Sequence, residues 1–67
     1  MQGQSHLLRA AYASCLASAR NWRKEAEHLR DNAEAAYLTA SQRATLLREA
    51  DAAERQANWW LDAIAAH

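Results

Sequence analysis

The chain has 67 residues, in which eight Lys plus Arg balance eight Asp plus Glu, with one Gly, no Pro and a hydrophobic share of 51%. That length allows one small domain and excludes most enzymes, which need more chain to enclose a site. Eighteen of the apolar residues are Ala, and neither Val nor Phe occurs, so strands are not expected and the fold class is all-α.

After a polar start from Met1 to Gln4, Ser5 is placed to cap a first helix over about 5–38, rich in Ala, Leu, Arg and Glu. Thr39, followed three positions later by Gln42, has the capping-box spacing that begins a new helix. A turn near 39–41 and a second helix over about 40–66 follow, making residues 1–67 a single antiparallel helical hairpin. Two other readings compete with this one. With no Gly or Pro at the turn, an unbroken rod of about sixty residues is one; a break at Asp31 and Asn32, with Asp31 capping toward Glu34, is the other.

Periodicity carries the hairpin. Positions 8, 12, 15, 19, 22, 26, 29, 33 and 36 hold Leu, Tyr, Cys, Ala, Trp, Ala, Leu, Ala and Ala, a 4-3 spacing without a charge. In the second helix, positions 46, 50, 53, 57, 60 and 64 hold Leu, Ala, Ala, Ala, Trp and Ile. Folding the chain at its midpoint pairs residues whose numbers sum to 79, so that Trp22 meets Ala57, Leu29 meets Ala50, Trp60 meets Ala19 and Ala26 meets Ala53. Large facing small fills space without voids or overlap.

Midway along the hairpin the flanking positions are polar or charged, which leaves room for one neighbouring helix only. At the open end the apolar face broadens. Leu7, Leu8, Tyr12 and Leu16 join Trp60, Leu61 and Ile64 in a patch too large for a monomer to leave in water. The expected state is a homodimer joined at the open ends, with a four-helix centre and two projecting tips. A chain this small needs such help, because the single Cys15 excludes an intrachain disulfide, and His6, His28 and His67 are too far apart for a short metal motif.

The remaining residues divide between two roles. Trp59 lies about 100° from Trp60 and either covers the dimer junction or anchors another protein. Tyr37 and Leu47 either cap the end of the hairpin or meet a partner. Arg20 and Arg23, with Lys24 and Arg9, form a basic stretch on the outside of the first helix. It reads as a solvated face, with Arg23 pairing with Glu27 and Arg30 with Glu34, or as a contact for an acidic surface or a phosphate backbone. Arg48, Asp51 and Arg55 form a similar exposed ladder on the second helix. Cys15 reads as a small buried hydrophobe and His28 as solvated. No nucleophile, base and orienting group converge, so no catalytic residue, cofactor or metal is expected. The chain has no run of about eighteen apolar residues, and its first twenty lack a signal-peptide core, so a cytoplasmic location without membrane contact is expected.

Three function classes fit a helical dimer: a module that binds and blocks a larger protein, a small DNA-associated regulator, and a structural coiled-coil component of a larger assembly. Near-zero net charge argues against the second. The run from Leu46 through Arg55 into Trp59-Trp60-Leu61-Asp62 resembles the small helical-hairpin early proteins of phages of high-GC bacteria, the group that includes a quorum-sensing anti-activator of a Pseudomonas phage. The resemblance covers most of the chain in style and length. It implies a non-enzymatic homodimer made during host takeover, which binds a host protein such as a LuxR-type transcription factor in the bacterial cytoplasm and keeps it from DNA. Related small phage proteins disable a pilus-assembly ATPase. The resemblance transfers no residue roles to this chain.

Overall fold

The computed structural model, which describes the backbone of residues 2–66 and the side chains of residues 11–66, is a pair of helices, α1 (Gln2–Asn32) and α2 (Ala40–Ala65), packed against each other. The two are joined by a loop over 33–39, and the Cα positions extend 57 × 16 × 10 Å. The described residues contain no strand.

α1 starts before Ser5, so that serine lies inside the helix and does not cap it. The capping box that would anchor a start at Ser5 is missing, because the position three residues on is Leu8. α1 also stops at Asn32, six residues before the expected end near Leu38, at the site of the competing Asp31 and Asn32 break. Two packed helix axes lie about 8–10 Å apart. One residue spans at most about 3.6 Å, so a helix running to Leu38 leaves too little chain to cross to Thr39. α1 therefore ends at Asn32, early enough for the chain to make that crossing.

The loop turns without any left-handed residue. No positive φ occurs among the described residues. Its backbone closes through short turns instead: Glu34 N–H donates to Asp31 O at 3.1 Å, Ala35 N–H to Asn32 O at 3.2 Å and Leu38 N–H to Ala35 O at 3.3 Å. The first two of these backbone donors take carbonyls in the last turn of α1, and the carbonyls of the loop itself draw on a side chain from α2. The Arg43 guanidinium donates from Nε to Ala33 O at 2.7 Å and from a terminal nitrogen to Ala35 O at 3.1 Å.

α2 begins as its sequence requires. Gln42 N–H donates to Thr39 Oγ1 at 3.1 Å, and Thr39 N–H donates to Gln42 Oε1 at 2.9 Å, completing the box at an extended Thr39.

The seam between the helices is made of methyl groups. Ala19, Ala26, Ala33, Ala50, Ala53 and Ala57 are the buried hydrophobic residues, and all six occupy positions of the 4-3 repeat. The large seam residues pack less completely: Leu29, Leu46, Trp60 and Ile64 are half-buried, as is Cys15, and Trp22 is 39% exposed. No large side chain among the described residues is fully buried. Alanine lets two helices approach closely, but the close approach squeezes bulky neighbours out to the flanks of the interface.

Arg30 ties the helices together at the middle, reaching Glu54 at 2.8 Å and Asp51 at 3.5 Å. Helical side chains lean toward the N-terminus of their own helix, which for an antiparallel pair brings Arg30 and Glu54 toward a common level. The expected pairing of Arg30 with Glu34 does not occur, because Glu34 lies in the loop beyond the end of α1. Glu54, and to a smaller degree Asp51, raises the pKa of Arg30 from its ordinary value. Arginine titrates far above neutral, so this raised pKa produces no change in stability across the neutral range.

Candidate interaction surfaces

The antiparallel packing puts the C-terminal half of α2 beside the N-terminal half of α1, so the apolar residues expected at the dimer contact share one end of the hairpin. Tyr12 is 55% exposed there, while Leu16, Trp60, Leu61 and Ile64 are half-buried. Leu7 and Leu8 lie on the backbone of α1, with side chains outside the described residues. The half-burial has a physical cause: each of these side chains covers part of the seam and turns the rest of its surface to water.

Trp59 projects from α2 away from α1, 60% exposed, with its ring edge-on to Trp60 at a centroid distance of 4.9 Å and an interplanar angle of 83°. This T-shaped contact is a favoured aromatic geometry and holds Trp59 in place without burying it. Beside it runs a shallow groove of about 650 Å³ lined by Ala52, Arg55, Gln56 and Trp59. Those four residues have the i, i+3, i+4, i+7 spacing of a single helix face. A trough walled by one helix has no opposite wall, so its volume, within the range of small-molecule pockets, does not enclose a ligand.

The basic stretch has the same limitation. Arg20, Arg23 and Lys24 border a groove of about 370 Å³ on α1, together with Ala17, Asn21 and Glu27. All three cations are exposed, and the Glu27 carboxylate beside them reduces the local positive potential. The expected Arg23 to Glu27 pair is not formed; the salt bridges among the described residues are those of Arg30.

At the tip, Tyr37 is 87% exposed and Leu47 is 42% exposed. The reading in which they cap the hairpin core is corrected for Tyr37, which stands out in solvent. Ala35 and Leu38 on the loop, with Leu46 on α2, are the half-buried apolar residues at that end. The residues proposed from sequence for a partner therefore occupy three surfaces: Trp59 on the outer face of α2, Arg20 and Arg23 on the outside of α1, and Tyr37 with Leu47 at the tip. They do not form one site.

Sequence reasoning missed Arg43 and the Arg30 bridge. Their signal was weak, since each is one arginine among many and acts on atoms far away in the chain. The flanking position of Arg30 beside the seam, matched by Glu54 on the other helix, is the one clue the sequence held. His28 is exposed, as expected. No group of three His, Cys, Asp or Glu suited to a metal ion occurs among the described residues, and no helix among them is long and apolar enough to cross a membrane. Compared with known proteins, the chain matches no family model, no curated protein and no solved structure.

Proposed function

We propose that this chain is a non-enzymatic protein-protein interaction module, a homodimer joined at its open ends that binds a host protein and blocks its activity. The observation that carries this reading is the composition of the interior: the buried hydrophobic residues are all alanines, while the tryptophans and several large aliphatic side chains remain partly in water. The chain exposes 5410 Å². A compact monomer of 7.5 kDa exposes about 4,200 Å². The excess, about 1,200 Å², goes with the elongated 57 × 16 × 10 Å shape, which leaves much of each helix free for a partner to cover. A surface that exposes Tyr12, Trp22, Tyr37 and Trp59, beside grooves that are each walled by one helix, suits recognition of another protein more than turnover of a small substrate.

The resemblance to small phage proteins directs this reading toward an inhibitor, with a transcription regulator of the LuxR type as the kind of target. Tagged chain incubated with lysate of its native host, followed by mass spectrometry, is expected to retain one host protein in stoichiometric amount. Retention of nucleic acid alone, lost by about 0.2 M salt as counterion release dictates, would overturn the reading in favour of a DNA-associated regulator. Open-ended polymers of the purified chain would favour a structural component instead.

A further inference from the structure

The two flanks of the hairpin differ in chemistry. When each helix is turned at about 100° per residue around its buried alanines, Arg23, Arg30 and Glu54 fall on one flank. That flank carries the ion pairs. The other flank presents Trp22 and Leu29 from α1 and Leu46 and Trp60 from α2, bordered by Glu25 and Glu49. Trp22 occupies a seam position yet is 39% exposed, and both glutamates are exposed and in no salt bridge among the described residues. The same rotation places Arg20, Lys24, Arg43, Arg48 and Arg55 on the outer faces or on the opposite flank. Among the described side chains, the tryptophan flank therefore carries two negative charges and no positive one.

We infer that this flank docks an amphipathic helix of the partner, whose apolar stripe covers Trp22 and Leu29 and whose Lys or Arg residues pair with Glu25 and Glu49. This rests on the interaction-module reading and names the face and the chemistry of what it binds. A third helix laid along the junction of two packed helices buries the flank-facing side chains of both, which is the helix-in-groove mode of recognition. Tryptophan supplies most binding energy when a neighbour excludes water from it, and the paired carboxylates select the partner by charge. A second copy does not meet that requirement. In a two-fold contact made through this flank, each glutamate faces a surface holding only other glutamates, and like charges across an interface are unfavourable. The dimer contact at the open end takes Trp60 and leaves Trp22, Glu25, Leu29, Leu46 and Glu49 free.

The test uses the full chain and two synthetic 18-residue helices sharing one Leu and Ala stripe, flanked by Lys in one and by Glu in the other. Binding is followed by tryptophan fluorescence and calorimetry at about 50 mM salt, where screening is weak. The Lys helix is expected to bind at least tenfold tighter than the Glu helix. Glu25→Lys with Glu49→Lys, both surface changes that keep the fold, is expected to reverse that order, and Trp22→Ala to weaken the Lys helix at least tenfold with helicity retained. Equal binding of both helices, no binding of either, or a preference unmoved by the charge reversal would overturn the assignment. Loss of self-association on Trp22→Ala would overturn it too, by giving the flank to a second copy. A host protein captured equally well by the charge-reversed chain would remove this face while leaving the interaction-module reading standing; failure to capture any host protein counts against that reading.

Discussion

Arg43 shows how one side chain ties a loop to the helix that follows it. Its guanidinium holds the carbonyls of Ala33 and Ala35 and so joins the start of α2 to the loop that follows α1. Arg43→Ala is expected to cost about 1–3 kcal/mol, since it leaves part-buried acceptors without a donor, and to appear as a lower midpoint in urea or thermal unfolding. Thr39→Ala removes the cap and is expected to cost about 1 kcal/mol in the same measurement. Ala26, buried at the seam, tests the close approach of the helices: Ala26→Leu is expected to cost about 1–3 kcal/mol through overpacking, and a neutral result would contradict an alanine-lined seam. Tyr37→Ser, at a side chain 87% exposed, is expected to leave stability within about 0.5 kcal/mol.

At the scale of elements, helix type, antiparallel order and the start of α2 were legible, each for a stated reason. The 4-3 repeat named every buried residue among those described, and Thr39 with Gln42 carried its own capping geometry. The end of α1 was not legible from propensity, because Ala33, Glu34, Ala35 and Ala36 are all good helix formers and nothing local tells them to stop. The distance between helix axes stops them. Replacing both Asp31 and Asn32 with Ala is therefore expected to leave helical content by circular dichroism unchanged; a gain equivalent to about six residues would show that propensity alone sets the boundary. The difference between the flanks was also hidden, since the sequence listed the flanking charges without showing that Arg30 would satisfy Asp51 and Glu54 on one side and leave Glu25 and Glu49 on the other.

For the whole molecule, an alanine seam sets the balance between folding and binding. Small side chains bring the helices close, yet they bury little apolar area for each residue ordered, and the larger side chains that would stabilise a monomer remain half in water. A chain so built gains stability from whatever covers its exposed face, and its apparent stability should rise with its own concentration. The most direct test is the mass of the purified chain in solution, measured by light scattering from about 1 to 100 µM, together with the variant carrying Leu8→Glu and Leu61→Glu. Twice the chain mass of 7.5 kDa is expected for the wild type, with the variant reduced to monomers that lose most of their helicity. A wild type that stays monomeric and fully helical throughout that range would contradict the account.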